Sequence, residues 1–393
     1  MYQPNRRLLL IFSICVAWAI SSWAPVFKYL TPARAAGAMF IGLVLIVLGM
    51  NRLDRLNRQQ RQIGRGWFPL LFLGLAAAFA VLYPISLKHT VNIGSDREDA
   101  LRVELNAVQH HQYPYDTRTF LHNPPTPLPG AMLLAAPFFM LGHIAWQNFL
   151  WFALFFLFSV HFFRYCATAL FFLAVFLLFA PGNLSDFTSG GDYLTNFFYI
   201  AIAVTLFTRS LHRSFYACIP AALFLGVTLS SRIIYIVVLV PLLALTLQRI
   251  SRLRASVLFG IIILAAAAVT LPILAPHPIT HLLQQLDQNA AKLRYLPSAM
   301  HPRLTLPLLA VAVACVALFA RMDLPRLLLT FSAASFVMLA PFVATLVVQD
   351  PRLRYVAFYL SVCSLSFSLW ALSRFERLSQ QDEVGPAMKT PMS

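Results

Sequence analysis

Twelve separate apolar runs dominate this chain, near residues 8–26, 35–50, 67–86, 145–163, 167–182, 193–208, 214–230, 232–247, 255–275, 303–320, 327–348 and 354–372. A helix needs roughly 20 apolar residues to cross the hydrocarbon of a bilayer. Inside lipid the backbone must satisfy its own polar groups, so each run predicts a helix. With 59% hydrophobic and 11% charged residues and a mean hydropathy of +0.72, the relevant solvent is a membrane. The expected fold class is all-α: a polytopic membrane protein with about twelve transmembrane helices and additional external juxtamembrane helices. Several runs are nearer 16 than 20 residues, so one or two are expected to be tilted or broken.

The net charge of +16 reads as topology before it reads as nucleic-acid binding. With the N-terminus in the cytoplasm, 18 of the 30 Lys and Arg fall inside, against only five of the 14 acids. The inside set includes Arg52, Arg55, Arg58, Arg61, Arg65, Arg209, Arg213, Arg249, Arg252 and Arg254. Both termini are then cytoplasmic, in a multi-pass protein of the plasma (inner) membrane. The apolar stretch 130–142 is too short to count as a crossing, and counting it would move two basic loops outside.

Cys15, Cys166, Cys218, Cys315 and Cys363 lie within or at the ends of apolar runs without metal-type spacing, which argues against disulfides and zinc. The first run, after Asn5, Arg6 and Arg7, reads as a retained signal anchor. Residues 1–378 form one membrane domain, with an external segment at 87–144, and residues 379–393 read as a disordered cytoplasmic tail.

Residues 94–142 carry the chemistry, because charge this dense needs water in a chain otherwise committed to lipid. Ser95 and Glu98 have capping-box spacing, and Asp96, Glu98 and Asp99 would sit at the positive end of a helix over about 96–111. Leu101, Leu105 and Val108 share one face of that helix, which would lie in the interface. Tyr113, Pro114, Tyr115 and Asp116 follow, then Pro124, Pro125, Pro127 and Pro129. A run missing so many amide donors cannot begin a regular helix before about Pro129. A rigidly placed carboxylate beside a bilayer suits general-base work; helix capping is the plainer reading of Asp96.

In their order, these elements resemble the membrane-embedded C-type glycosyltransferase (GT-C) superfamily, most of all the bacterial polyprenyl-phosphomannose-dependent mannosyltransferases. The resemblance rests on Asp96, Tyr113-Pro114-Tyr115 and the stretch from Pro124 to Pro129, and covers about residues 67–372. Asp186 or Asp192 after Pro181, Ser231-Arg232 between two helices, and Arg352-Leu353-Arg354-Tyr355 opening the last helix extend it. Two extra helices precede the loop, Arg232 stands where lysine is commoner, and Thr126 and Pro127 interrupt the Pro-Pro-Leu element.

The resemblance implies an inverting transferase that moves mannose or a similar sugar from a polyprenyl-phosphate donor to a glycan, lipid or protein acceptor outside the membrane. Asp96 would be the general base, with Glu98 and Asp99 beside it. Arg232, Arg352 and Arg354 would hold the donor phosphate, for which membrane anchoring is the plainer role. Tyr113, Tyr115, His122, Asn123, Asp186, Asp192 and Tyr355 would bind substrate, although a solvated glycine-rich turn also accounts for Asp186 and Asp192. No nucleotide motif is present, and no resident cofactor is called for. A divalent metal at His110, His111 and His122 is the lesser alternative, because adjacent histidines lack i, i+4 spacing. Partners are membrane lipid and the lipid-linked donor, not nucleic acid. The rival classes are a transporter or flippase for a lipid-linked glycan and a non-catalytic envelope-assembly subunit.

Overall fold

The computed structural model describes residues 3–59, 64, 66–88, 95–281, 293, 296–349 and 357–381. All regular structure among them is helical. In chain order the α-helices are α1 (Gln3–Tyr29), α2 (Pro32–Arg58), α3 (Trp67–Ser86), α4 (Arg97–Gln109), α5 (Pro129–Met140), α6 (Gln147–Phe162), α7 (Cys166–Leu173) and α8 (Pro181–Thr188). There follow α9 (Tyr193–Ser210), α10 (Phe215–Leu229), α11 (Leu239–Leu247), α12 (Arg252–Leu274), α13 (Pro302–Cys315), α14 (Leu324–Gln349) and α15 (Ser361–Gln381).

Among the described residues, each of the twelve apolar runs coincides with helix. Seven helices there are long and apolar enough to cross a membrane: α1, α2, α3, α6 with the turn before it, α12, α13 with its extension, and α14. An eighth span results if the run through α7 and its π-helical extension is joined to α8 across their 71° bend. That bend occurs at Ala180-Pro181, where proline removes an amide donor and starts a new helix at its first position.

The core is aromatic. Phe152, Phe155, Phe172, Phe176, Phe187, Phe197 and Phe198 are fully buried where α6, α7, α8 and α9 meet. Ring centroids there come as close as 4.0 Å between Phe155 and Phe198 and 4.3 Å between Phe152 and Phe187. By contrast, α2 exposes Phe40, Ile41, Leu45 and Leu48, and α12 exposes Ile263 and Leu264. Large apolar side chains left outside along whole helices mark surfaces solvated by lipid.

Polar contacts gather at the two ends of the bundle. At one end the start of α1, the end of α2 and the end of α15 meet: Arg7 and Arg58 pair with Asp54 at 3.3 and 2.7 Å, and Ser379 Oγ donates to the same carboxylate at 2.7 Å. Glu376 accepts the amides of Tyr165 and Arg164 at 3.0 and 3.3 Å just past α6. Helix α15 thus continues to Gln381 and buries Ser379, where the sequence predicts the start of a tail; residues 382–393 lie outside those described. At the other end the connection from α4 to α5 is bonded to Asp96 and Asp99 at the start of α4 and, through Arg232, is linked to Asp192 at the start of α9.

Candidate functional site

Helix α4 begins within one residue of the expected position, but the capping box does not form. Asp96 is the N-cap residue, and its side chain makes no bond to the helix's own amides. Its Oδ2 instead accepts hydrogen bonds from Thr119 Oγ1 at 2.9 Å and Asn123 Nδ2 at 2.8 Å. Glu98, expected to reach back to Ser95, is buried and accepts from Tyr83 Oη at 2.8 Å and from Arg102 at 2.6 Å. A charged donor outbids a first-turn amide for a buried carboxylate. Gly190 makes room for it: a Cβ there would stand 2.6 Å from Glu98 Oε2, and its φ of +71° suits glycine. Asp99 accepts the Phe120 amide at 2.8 Å. All three acids therefore hold neighbouring segments in place.

The apolar face of α4 also departs from expectation. Leu101 and Leu105 pack with Tyr113, Tyr115, Ala131, Met132, Ala135 and Ile144, and Val108 joins them. The stripe is covered by protein, chiefly α5, instead of being left to face lipid. Helix α5 itself starts at Pro129, where the proline run predicts the earliest regular helix.

The segment from Asn183 to Tyr193 is not a solvated turn. Asp186 is 0% exposed, forms an ion pair with Arg97 and accepts the Leu194 amide at 2.7 Å. The Arg97 guanidinium also lies 4.0 Å from the centroid of the Phe358 ring. Asp192 stands at the N-cap position of α9 without a side-chain bond to the helix's amides; its carboxylate accepts Arg232 Nη2 at 2.6 and 2.8 Å, together with Asn196 Nδ2 at 3.0 Å. Arg232 donates as well to Thr126 Oγ1 at 3.1 Å, while the Leu128 and Gly130 amides donate to Ser231 O and Ser230 O at 2.9 and 3.1 Å. The connection from α4 to α5 is thus tied at one end to Asp96 and Asp99 and at the other to Arg232 and the end of α10.

Glu104, two turns into α4, has 0% exposure, and neither carboxylate oxygen has a hydrogen-bond partner among the described residues. Burial pushes its carboxyl well above the ordinary carboxylate range; the negative Asp192 adds to the effect and the positive Arg232 opposes it.

The remaining candidates scatter. Tyr113 and Tyr115 are buried edge-to-face at 5.4 Å, and Tyr113 is flanked by His277 and His281 at 4.7 and 5.1 Å, so neither ring presents an open face to a sugar. His122 and Asn123 are at the surface. Arg352, Arg354 and Tyr355 lie outside the described residues. No group of three or more potential metal ligands occurs among the described residues. A cavity of about 250 Å³ lies at the opposite end of the bundle, lined in part by Asp323, Arg326, Trp370, Arg374 and Arg377.

Of the participants that escaped the sequence reading, which include Tyr83, Arg102 and Thr119, two carry a signal. Arg97 sits in the first turn of α4, where a cation opposes the helix dipole and needs a partner elsewhere to justify its place. Glu104 falls three residues after Leu101 and four before Val108, a carboxylate on an apolar stripe. Comparison of the chain with protein-family models, with curated proteins and with solved structures gives no match.

Proposed function

We propose that the protein is a membrane glycosyltransferase that moves a sugar such as mannose from a polyprenyl-phosphate donor to an acceptor hydroxyl, with Asp96 as general base. In this proposal the chain crosses the inner membrane about twelve times in a GT-C-like arrangement, both termini are cytoplasmic, and the network around Asp96 faces outward.

The state of Asp96 carries the reading. Its carboxylate is half-buried and oriented by two donors on Oδ2, and among the described residues nothing bonds Oδ1. Glu98, Asp99, Asp186 and Asp192 are each committed to an arginine, a tyrosine or a backbone amide. Asp96 combines an orientation fixed by two side-chain donors with an oxygen that nothing bonds among the described residues, the pairing that general-base catalysis requires; Asp99 also leaves Oδ1 unbonded but is held by a single backbone amide.

Asp96 Oδ1 takes the acceptor's hydroxyl proton as that oxygen bonds to the anomeric carbon. The bond from that carbon to the phosphate oxygen breaks, its electron pair leaves on the lipid phosphate, and the configuration inverts. Arg232 is already spanned by Asp192 and Thr126, so it shapes the site. Gripping the phosphate falls in this proposal to Arg352 and Arg354, whose forked donors match a phosphate.

Lipid-linked sugars and envelope glycans, compared in cells lacking the protein and in cells supplied with wild type or Asp96→Asn, test the reading. The expectation is accumulated donor lipid and lost product in the null, with Asp96→Asn slowed about 10²–10⁴-fold at normal membrane abundance. Wild-type glycans from Asp96→Asn would refute it and favour a transport or assembly role.

A further inference from the structure

Charge is out of balance beneath the α4–α5 connection. The buried carboxylates Asp186 and Asp192 are matched by Arg97 and Arg232. Glu104 is a further carboxylate with no exposure and, among the described residues, no partner on either oxygen, and Arg232, the cation that acts on it, is already doubly bonded to Asp192. An ionised carboxylate in that position would carry a desolvation cost with nothing to offset it.

The elements packed against α4 offer no substitute cation among the described residues. Helix α5 bears no ionisable side chain. The turn Pro114–Asp116 brings Tyr115 and Asp116, with Tyr113 before it; Asp116 is exposed and pairs with His281 at 3.2 Å. The turn Ile144–Trp146 follows His143, which is exposed and stacked on Trp146. On α4 itself, Arg97 and Arg102 are taken by Asp186 and Glu98. The charges that act on Glu104 are those of Asp192 and Arg232.

We propose that Glu104 is a proton-binding site, holding one proton in the folded protein at neutral pH and so keeping the buried group of Glu104, Asp192 and Arg232 neutral overall. As a neutral acid it leaves Arg232 to Asp192 and Thr126. Losing the proton places a second anion beside Arg232 and sets it in competition with Asp192 for the guanidinium that ties α9 to the α4–α5 connection. The proposal holds whether or not sugar transfer does, because it rests on Glu104 and its neighbours and not on Asp96.

The sign of the linkage follows. A carboxyl whose folded pKa lies above its unfolded value, about 4.3, binds more protons in the folded state. Its stabilising contribution is complete below that unfolded value and is lost as pH rises towards the folded one. Full-length protein in lipid nanodiscs, unfolded thermally between about pH 5 and pH 8, should lose unfolding temperature with rising pH, and Glu104→Gln should flatten the loss. Glu104→Gln should also be at least as stable as wild type near pH 8. A variant whose slope matches wild type, or one markedly less stable at every pH, overturns the proposal. So does a wild-type slope abolished by exchanging sodium for a bulky organic cation.

If Glu104→Gln does not fold, Glu376→Gln protein carrying ¹³C-labelled glutamate supplies the second measurement, since it removes the other buried, upshifted glutamate. A neutral carboxyl signal at about pH 7 supports the proposal; carboxylate signals alone overturn it.

Discussion

Asp96 and Arg97 are neighbours with opposite fates. Asp96 stops at the surface, held by Thr119 and Asn123, whereas Arg97 turns inward to a carboxylate with no exposure. Removing one partner of a buried pair leaves a bare charge, so Arg97→Ala should lower stability by about 3–5 kcal/mol in reversible unfolding. Replacing both partners by apolar residues, Arg97→Met with Asp186→Leu, should recover most of that loss, since the pair's desolvation cost goes with it. Equal losses in the single and double variants would show that Asp186 matters for its bond to the Leu194 amide instead. The sequence marked the acids of this region by type and spacing. It singled out Asp96 only through the resemblance and did not reveal the structural roles of the other acids, because apart from Arg102, four residues from Glu98, their partners come from residues 83, 97, 120 and 232, separations that no local pattern encodes.

Local rules served best for α4 and α5. Capping preference and the proline run place both starts to within a residue, since each depends on backbone donors available nearby. They reach less far at α7 and α8: Pro181 sets the break, but the burial of its polar continuation depends on packing against α1, α3 and α9. The approach of α5 to α10 supplies a test. A Cβ at Gly130 would stand 2.3 Å from the Val227 carbonyl oxygen and 2.4 Å from Ser230 Oγ. Gly130→Ala should therefore push α5 away and lower stability by about 1–3 kcal/mol. Gly37, on α2, is the control, because a methyl added there meets nothing within 4 Å. Gly37→Ala should raise stability by about 0.5–1 kcal/mol. Thermal unfolding in one detergent reads both, and like-signed changes would contradict the close approach.

Over the whole molecule, two polar ends enclose an aromatic middle. One end joins α1, α2, α6 and α15 through Asp54 and Glu376; the other gathers Asp96, Glu98, Asp186, Asp192, Glu104 and the arginines paired among them. The proposed topology, drawn from the positive-inside rule, puts the first in the cytoplasm and the acid-rich end outside, where a lipid-borne sugar would meet it. The direct test is the sidedness of position 96. In a variant with the five native cysteines replaced, Asp96→Cys is exposed to a membrane-impermeant maleimide on intact cells. Labelling without permeabilisation is the predicted result; labelling only after the membrane is opened would place the carboxylate on the cytoplasmic side and contradict the account.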